Sequence, residues 1–360
     1  MTRSIRTNAV AAAVTFAALT AAAPPAVGSA AVQTYADTTS VGVHNTYEKT
    51  SFPYLADALD SGTALIELDV WTNSAGPGWR VAHENPVGND NNCAGARSPS
   101  ELRGGPRDTG LEGCMSDLRA WHDANPGHRP VLVKVELKDG FTAMCGVGPH
   151  EFDTASASCG RGPDEFDALV GDRLGDAVFR PADLVGDSGS TLDAAVRERG
   201  WPSARATAGK FVFELIPGTV EEKNPLDDLW TDRHYATHLR DLAAEGDLAR
   251  AVAFPAVHGA EAGDPRVARY DPTLRPWFVL FDGDASAYVD GRIDTRWYHD
   301  NGYLLVMTDA HRVLPVIDGV HPAVRDARAR VRMLAERSAS VVTADWTQLP
   351  RVLSTVLPRG

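Results

Sequence analysis

Eight short hydrophobic runs, most of them separated by helical segments, limit the possible folds of this chain more than any other feature. The runs are rich in Val, Ile, Leu and Phe, which favours strands, and they cover Thr38–His44, Ala64–Val70, Gly78–His83, Pro130–Leu137, Lys210–Leu215, Pro276–Phe281, Tyr303–Met307 and Ala339–Asp345. Helices are predicted over Tyr54–Asp60, Glu112–Ala124, Asp164–Leu174, Leu192–Arg199, Asp228–Ala244 and Ala323–Arg337. Alternating strands and helices predict an α/β fold, an irregular (β/α)8 TIM-type barrel, with the irregularity at the short link between the second and third strands.

The N-terminal thirty residues have the pattern of an export signal. Arg3 and Arg6 precede an apolar stretch that is too short to span a bilayer, and Gly28-Ser29-Ala30 offers a small-residue cleavage site. We therefore expect residues 1–30 to be a signal peptide and residues 31–360 to be a single catalytic domain, secreted and without a transmembrane segment.

The charge of the chain limits its partners. The formal net charge is −13, and it becomes −15 when Arg3 and Arg6 are removed with the signal peptide. A protein this acidic is a poor nucleic-acid binder and a poor overall match to an anionic lipid surface. We expect a monomer that binds no nucleic acid.

Four cysteines in an exported chain favour two disulfides. Of the three possible pairings we favour Cys93–Cys114 with Cys145–Cys159, because each closes a short loop. The alternative, a zinc site, lacks the CxxC spacing that such sites commonly use.

Two carboxylates share one face of the second predicted strand. Glu67 and Asp69 are two residues apart, so both side chains leave the strand on the same side. Their flanks are apolar, which indicates burial, and two buried carboxylates repel each other unless a cation or a shared proton lies between them. A charge pair on a solvated edge is the alternative.

The fourth predicted strand adds a third carboxylate and two amines. Its valines would face the covering helices, which leaves Lys134, Glu136 and Lys138 on the inward face. The chain has only five lysines, and a compact ammonium suits a phosphate, so we predict that Lys134 and Lys138 bind the substrate. A purely structural Lys–Glu pair inside the barrel is the alternative.

Two histidines and an asparagine also stand at strand ends. His44 and His83 close the first and third predicted strands, and catalytic residues collect at the C-terminal ends of barrel strands. Asn45 adds an amide oxygen to the three carboxylates. An all-oxygen set favours calcium or magnesium over zinc.

These residues resemble a known family. The string His44-Asn45-Thr46-Tyr47, the E-L-D-x-W string that begins at Glu67, the third-strand histidine and the fourth-strand glutamate are similar to the first half-barrel of calcium-dependent, phosphoinositide-specific phospholipases C, above all the secreted bacterial members. The resemblance implies that His44 and His83 are catalytic and that Asn45, Glu67, Asp69 and Glu136 bind Ca²⁺. It further implies that a ring hydroxyl attacks phosphorus in phosphatidylinositol at a membrane or micelle surface, which releases diacylglycerol and a (cyclic) inositol phosphate.

One difference from the eukaryotic members of this family limits the expected substrates. Eukaryotic relatives carry basic residues for ring phosphates in the fifth strand, where this chain places Glu214, so we expect unphosphorylated phosphatidylinositol. Two alternatives stay open. A glycerophosphodiester phosphodiesterase shares the barrel but usually opens with His-Arg-Gly, and a catalytically inactive lipid-binding barrel would be expected to have lost part of the site.

Overall fold

The computed structural model describes residues 1, 34–72, 78–141, 161–186, 189–223 and 230–360. The chain divides into two compact units, Met1–Val32 and Gln33–Gly360, and only Met1 of the first is described. The predicted signal peptide therefore lies outside the described residues.

Ten strands in the described residues form one sheet. They are β1 (Thr38–Val43), β2 (Leu65–Trp71), β3 (Arg80–Val81), β4 (Val131–Leu137), β5 (Phe211–Pro217), β6 (Ala253–His258), β7 (Leu280–Asp284), β8 (Leu304–Thr308), β9 (Val341–Ala344) and β10 (Val356–Pro358). Their order is β10-β1-β9-β8-β7-β6-β5-β4-β2-β3, and all neighbours pair in parallel except β10 with β1 and β3 with β2.

The eight parallel strands from β1 round to β2 form the predicted irregular barrel. β1 and β2 meet at a narrow seam, where the Ala64 N–H donates to the Val41 carbonyl over 2.8 Å. Gly42 permits this approach, because a Cβ at that position would lie 2.5 Å from the Leu65 Cβ. The seam brings the C-terminal ends of β1 and β2 together.

Helices cover the barrel from outside. They are α1 (Leu55–Asp60), α2 (Leu111–Ala124), α3 (Pro163–Leu174), α4 (Pro181–Val185), α5 (Leu192–Arg199), α6 (Thr231–Glu245), α7 (Pro265–Arg269), α8 (Ala285–Asp290), α9 (Arg296–Asp300), α10 (Val324–Ala335) and α11 (Pro350–Leu353). For five of the six predicted helices, both ends lie within two residues of the observed ends. The sixth, α6, begins at Thr231, whereas its predicted start is Asp228.

The membership of the barrel differs from the prediction in one strand. The segment Gly78–His83 contains only the two-residue β3, which pairs antiparallel with the end of β2 and is no barrel strand. The missing barrel strand is β6, whose sequence contains Pro255 and therefore reads poorly as a central strand. The sixth barrel strand, β7, also starts later than predicted, at Leu280, after a 3-10 turn at Arg275–Trp277.

The core follows the predicted strand alternation. Val131, Val133, Val135 and Leu137 of β4 are fully or nearly fully buried against the helices. Cys93 and Cys114 form a disulfide with a Cα–Cα distance of 4.9 Å, which confirms that pairing, whereas Cys145 and Cys159 lie outside the described residues. Among the described helices, none combines the length and apolarity needed to cross a bilayer.

Candidate active site

His44 and Asn45 leave β1 at the seam. Because Val43 pairs with Ala344 of β9, the residues that follow emerge side by side, and His44 Nδ1 lies 3.2 Å from Asp345 Oδ1. Asn45 has a φ of 51°, a left-handed conformation that asparagine tolerates better than most residues. Its backbone N–H donates to Glu67 Oε2 over 3.0 Å.

Glu67 and Asp69 both point into the barrel, as their spacing predicts. Each is almost fully buried. Glu67 Oε2 lies 3.6 Å from His44 Nε2, and Asp69 Oδ2 lies 3.1 Å from His83 Nδ1. Glu67 and Asp69 are therefore each in contact with one of the two predicted catalytic histidines.

The charged side chains of β4 lie next to the carboxylates of β2. In the sheet register Lys134 stands beside Glu67, and Glu136 stands beside Asp69. Lys134 Nζ lies 3.4 Å from Glu67 Oε1 and 3.1 Å from Asp282 Oδ2, and Lys138 Nζ lies 3.1 Å from Asp69 Oδ2.

Both lysines are buried among carboxylates. Lys138 Nζ is also 2.9 Å from Glu136 Oε1, so each amine has two acidic partners in this structure. This geometry matches the structural Lys–Glu alternative, and contact of Lys134 and Lys138 with a substrate phosphate stays a prediction.

His83 reaches the site from the loop after β3. Its side chain is about half exposed, and its Nδ1 contacts both Asp69 and the Tyr47 hydroxyl, each at 3.1 Å. A cavity of about 400 Å³ opens beside it, lined by Glu48, Lys49, Thr50, His83, Glu84, Asn85 and Asp90. His83 therefore combines a fixed inner nitrogen with an accessible outer face.

The three carboxylates fit a hard cation. Glu67, Asp69 and Glu136 can present oxygens that all lie within 4.8 Å of one another. Asp69 Oδ1 is buried without a hydrogen-bond partner, and the cost of such an orphaned acceptor would be removed by a bound cation. The donors are all oxygen, as Ca²⁺ prefers.

Comparison with known proteins gives the family. A family model described as phosphoinositide phospholipase C, Ca²⁺-dependent, matches residues 107–242. A solved Ca²⁺-dependent phosphatidylinositol-specific phospholipase C from Streptomyces antibioticus is 61% identical, with 91% of this chain and 99% of that chain covered and a TM-score of 0.85. The chain belongs to the calcium-dependent phosphoinositide phospholipase C family.

More distant structures agree in fold alone. A calcium-dependent phosphoinositol-specific phospholipase C from Pseudomonas sp. is 19% identical, with 91% of this chain and 95% of that chain covered and a TM-score of 0.61. No match was found among curated proteins. Membership makes this phospholipase a calcium-dependent phosphoric diester hydrolase, as the motifs predicted.

The pKa values of the two histidines of the phospholipase are raised by different neighbours. Burial acts to lower the pKa of His44, but Glu67 and Asp345 outweigh it and raise that pKa to about 9. The hydrogen bond to Asp69 raises the pKa of the more exposed His83. In this structure the pKa of His44 therefore favours its protonated form at neutral pH.

The carboxylates of the phospholipase also differ from one another. Burial acts to raise the pKa of Glu67, but Lys134 and His44 outweigh it and lower that pKa to about 2. Burial, with Asp69 adding to it, raises the pKa of Glu136. Glu214, fully buried and without a hydrogen-bond partner, has a pKa well above its usual range because of burial and Asp282.

Sequence reasoning missed several side chains of this region. Asp345 ends a predicted strand and Tyr47 ends the His44 string, so both carried a positional signal. Asp282 lies one residue beyond the predicted end of its strand. His258, whose Nδ1 lies 2.9 Å from Glu222 Oε1, belongs to β6. This strand was not predicted because it contains Pro255.

Proposed function

We propose that this phospholipase is exported and cleaves phosphatidylinositol to diacylglycerol and a cyclic inositol phosphate. The observation that carries the proposal is the convergence of Asn45, Glu67, Asp69 and Glu136 at one end of the barrel, between His44 and His83. The 61% identity to the Streptomyces antibioticus enzyme supports the substrate. The N-terminal signal pattern supports export, and we propose a monomer that meets the lipid surface peripherally.

We assign the metal set to Asn45, Glu67, Asp69 and Glu136. Calcium held there would supply positive charge that lowers the pKa of the ring hydroxyl and offsets the charge of the phosphate. The low pKa of Glu67 keeps its carboxylate ionised and available as a ligand. Its orientation is fixed by the Asn45 N–H on one oxygen and by Lys134 on the other.

We assign different catalytic roles to the two histidines. His44, charged because of Glu67 and Asp345, stabilises the negative charge of the phosphorane. His83 is the general acid/base, because Asp69 holds its Nδ1 and leaves Nε2 for proton transfer at the accessible face.

The reaction balances within one headgroup. The ring hydroxyl next to the phosphate forms the new O–P bond, and the P–O bond to diacylglycerol breaks. The hydroxyl loses a proton and the departing glycerol oxygen gains one, so the first step consumes no water. An intramolecular nucleophile of this kind has an effective concentration far above that of a solvent molecule.

Phosphorus NMR of early time points tests this function. Pure phosphatidylinositol with calcium should give a cyclic inositol phosphate first, and a substrate without the attacking hydroxyl should not turn over. Glycerol phosphate or free inositol as the primary product would favour the phosphodiesterase alternative. Excess chelator should abolish turnover, and calcium should restore it better than zinc.

A further inference from the structure

The ammonium of Lys134 is shared by two carboxylates inside the barrel. Its Nζ lies 3.4 Å from Oε1 of Glu67, a proposed calcium ligand, and 3.1 Å from Oδ2 of Asp282, which has no part in the proposed reaction. Lys134 is 5% exposed, Glu67 2% and Asp282 0%. Because water is excluded from all three, their charges are weakly screened, and each ion pair is stronger than it would be at the surface.

Asp282 reaches Lys134 across the barrel interior. β7 carries Asp282 and β4 carries Lys134, and β5 and β6 lie between these strands in the sheet. Phe281, the preceding residue of β7, packs against Trp297 and Tyr298 of α9 on the outside. Since side chains alternate along a strand, Asp282 points inward. The contact with Lys134 therefore depends on closure of the barrel.

Lys134 is the main partner of Asp282. Neither carboxylate oxygen of Asp282 accepts a hydrogen bond from the described residues. Nε2 of His258 lies 3.8 Å from Oδ1, beyond hydrogen-bond distance, and Nδ1 of His258 is 2.9 Å from Oε1 of Glu222. A buried carboxylate without hydrogen bonds costs free energy, and the ion pair with Lys134 offsets that cost.

The distances show how the ammonium divides between its two partners. Lys134 Nζ is nearer to Asp282 than to Glu67, and its 3.4 Å separation from Glu67 Oε1 exceeds the about 2.8 Å of a charge-assisted hydrogen bond. Lys134 therefore neutralises the Glu67 carboxylate only in part. An ammonium bound closely to Oε1 would oppose a metal ion at the same carboxylate, because the two cations repel each other.

We propose that Asp282 is a positioning residue for the metal site. It draws Lys134 away from Glu67 and so keeps the negative charge of Glu67 available to Ca²⁺. Without the carboxylate of Asp282, Lys134 keeps Glu67 as its single ion-pair partner among the described residues and closes on Oε1. The inference rests on the proposed function, because it takes Glu67 as a calcium ligand.

Glu214 offers a matched control inside the same barrel. It is fully buried and stands beside Lys134 in the register of β4 and β5. The ion pairs of Lys134 nevertheless go to Glu67 and Asp282 and not to Glu214. Replacement of either acid by its amide removes one buried carboxyl group near Lys134, but only Asp282→Asn releases the ammonium from an ion pair.

Calorimetric titration of the full-length proteins with calcium tests the proposal without turnover. Asp282→Asn should bind calcium at least about tenfold more weakly than the unaltered protein, which is the size of effect expected for coupled charges in contact. Glu214→Gln should bind like the unaltered protein. Equal affinity in Asp282→Asn and the unaltered protein, or an equal loss in Glu214→Gln, would overturn the proposal.

A double-mutant cycle tests whether Asp282 acts through Lys134. In a Lys134→Met background, Asp282→Asn should change calcium affinity by less than about threefold, because no ammonium is left to redirect. The same loss in both backgrounds would show that Asp282 acts on the ion directly and would overturn the positioning role.

Turnover as a function of calcium concentration gives a readout that does not need the Lys134→Met protein. In Asp282→Asn the midpoint should move to higher calcium, while the plateau stays within about twofold of that of the unaltered protein. A lowered plateau with an unchanged midpoint would indicate general damage to the barrel and would overturn the proposal.

The same titrations separate this inference from the proposed function. Calcium affinity that survives Glu67→Gln would overturn the proposed ligand set and this inference with it. A loss in Glu67→Gln without a loss in Asp282→Asn would overturn the positioning role alone. If no form turned over phosphatidylinositol, the proposed reaction would fall, whereas a loss of calcium affinity confined to Asp282→Asn and Glu67→Gln would still support the positioning role.

Discussion

At the scale of residues, Glu67 is the side chain on which the proposed metal site most depends. Its carboxylate is buried, ionised and held by Asn45, Lys134 and His44. We expect Glu67→Gln to weaken calcium binding by at least about tenfold and to remove most activity, because the ligand set loses a charge. Calorimetric titration with calcium and a turnover assay measure the two effects.

Glu214→Gln is the matched control. Glu214 is also buried next to Lys134 in the sheet register, and burial raises the pKa of its carboxyl, but it lies outside the proposed ligand set, so an amide of equal size should leave calcium affinity unchanged. Calcium affinity that is unchanged in Glu67→Gln, or lost equally in both variants, would refute the proposed ligand set.

His83→Ala tests the division of labour between the histidines. Turnover should fall by about two orders of magnitude or more, while calcium affinity stays nearly constant, because His83 moves protons and does not hold the ion. A parallel loss of calcium affinity would show that His83 has another role.

At the scale of elements, the N-terminus of α6 is capped by a side chain that lies ten residues before the helix begins. Trp230 gives its first turn no side-chain cap, and Glu221 accepts instead from the Thr231 N–H over 2.7 Å and from the Thr231 hydroxyl over 2.8 Å. Burial raises the pKa of Glu221 from 4.5 to about 8. The folded state therefore holds this proton more tightly than the unfolded chain does.

The sign of the pH dependence follows from that shift. Between pH 4.5 and about 8 the unfolded chain releases the proton first, so Glu221 contributes a free energy of unfolding that falls as pH rises. Relative to Glu221→Gln, the unaltered protein should lose stability over this window, by at most about 1.4 kcal/mol per pH unit.

Denaturant unfolding at a series of pH values measures this difference. Glu245→Gln, at the exposed C-terminal end of α6, is the control and should leave the slope unchanged. Parallel pH profiles for the unaltered protein and Glu221→Gln would contradict the assignment.

At the scale of the whole molecule, the Cys93–Cys114 disulfide ties the loop after His83 to α2. The bond closes a separation of 21 residues. Replacing both cysteines with serine should lower the free energy of unfolding by about 3 kcal/mol, since the unfolded chain regains the freedom of that loop. Thermal unfolding with and without reductant measures the loss.

A thiol titration of the unreduced, denatured protein tests the second pair. No free thiols are expected if Cys145 and Cys159 are joined as predicted, in the unaltered protein as well as in the Cys93→Ser/Cys114→Ser variant. Two free thiols in each protein would show that Cys145 and Cys159 are not joined, and only the first predicted disulfide would stand.

The sequence by itself determined the barrel and the residues that meet at its active end. Parallel buried strands have a continuous apolar pattern, and polar residues interrupt it where strands end, so His44, Glu67, Asp69 and Glu136 could be located without a structure. Two-residue spacing fixed the shared face of Glu67 and Asp69, because side chains alternate along a strand. β6 escaped prediction since Pro255 is atypical of a central strand.

Only the tertiary structure decided which side chains touch. The register between strands is a long-range property, and it places Asp345 beside His44 and Lys134 beside Glu67 although hundreds of residues or a whole β/α unit separate them in the chain. Local sequence carries no record of such pairing.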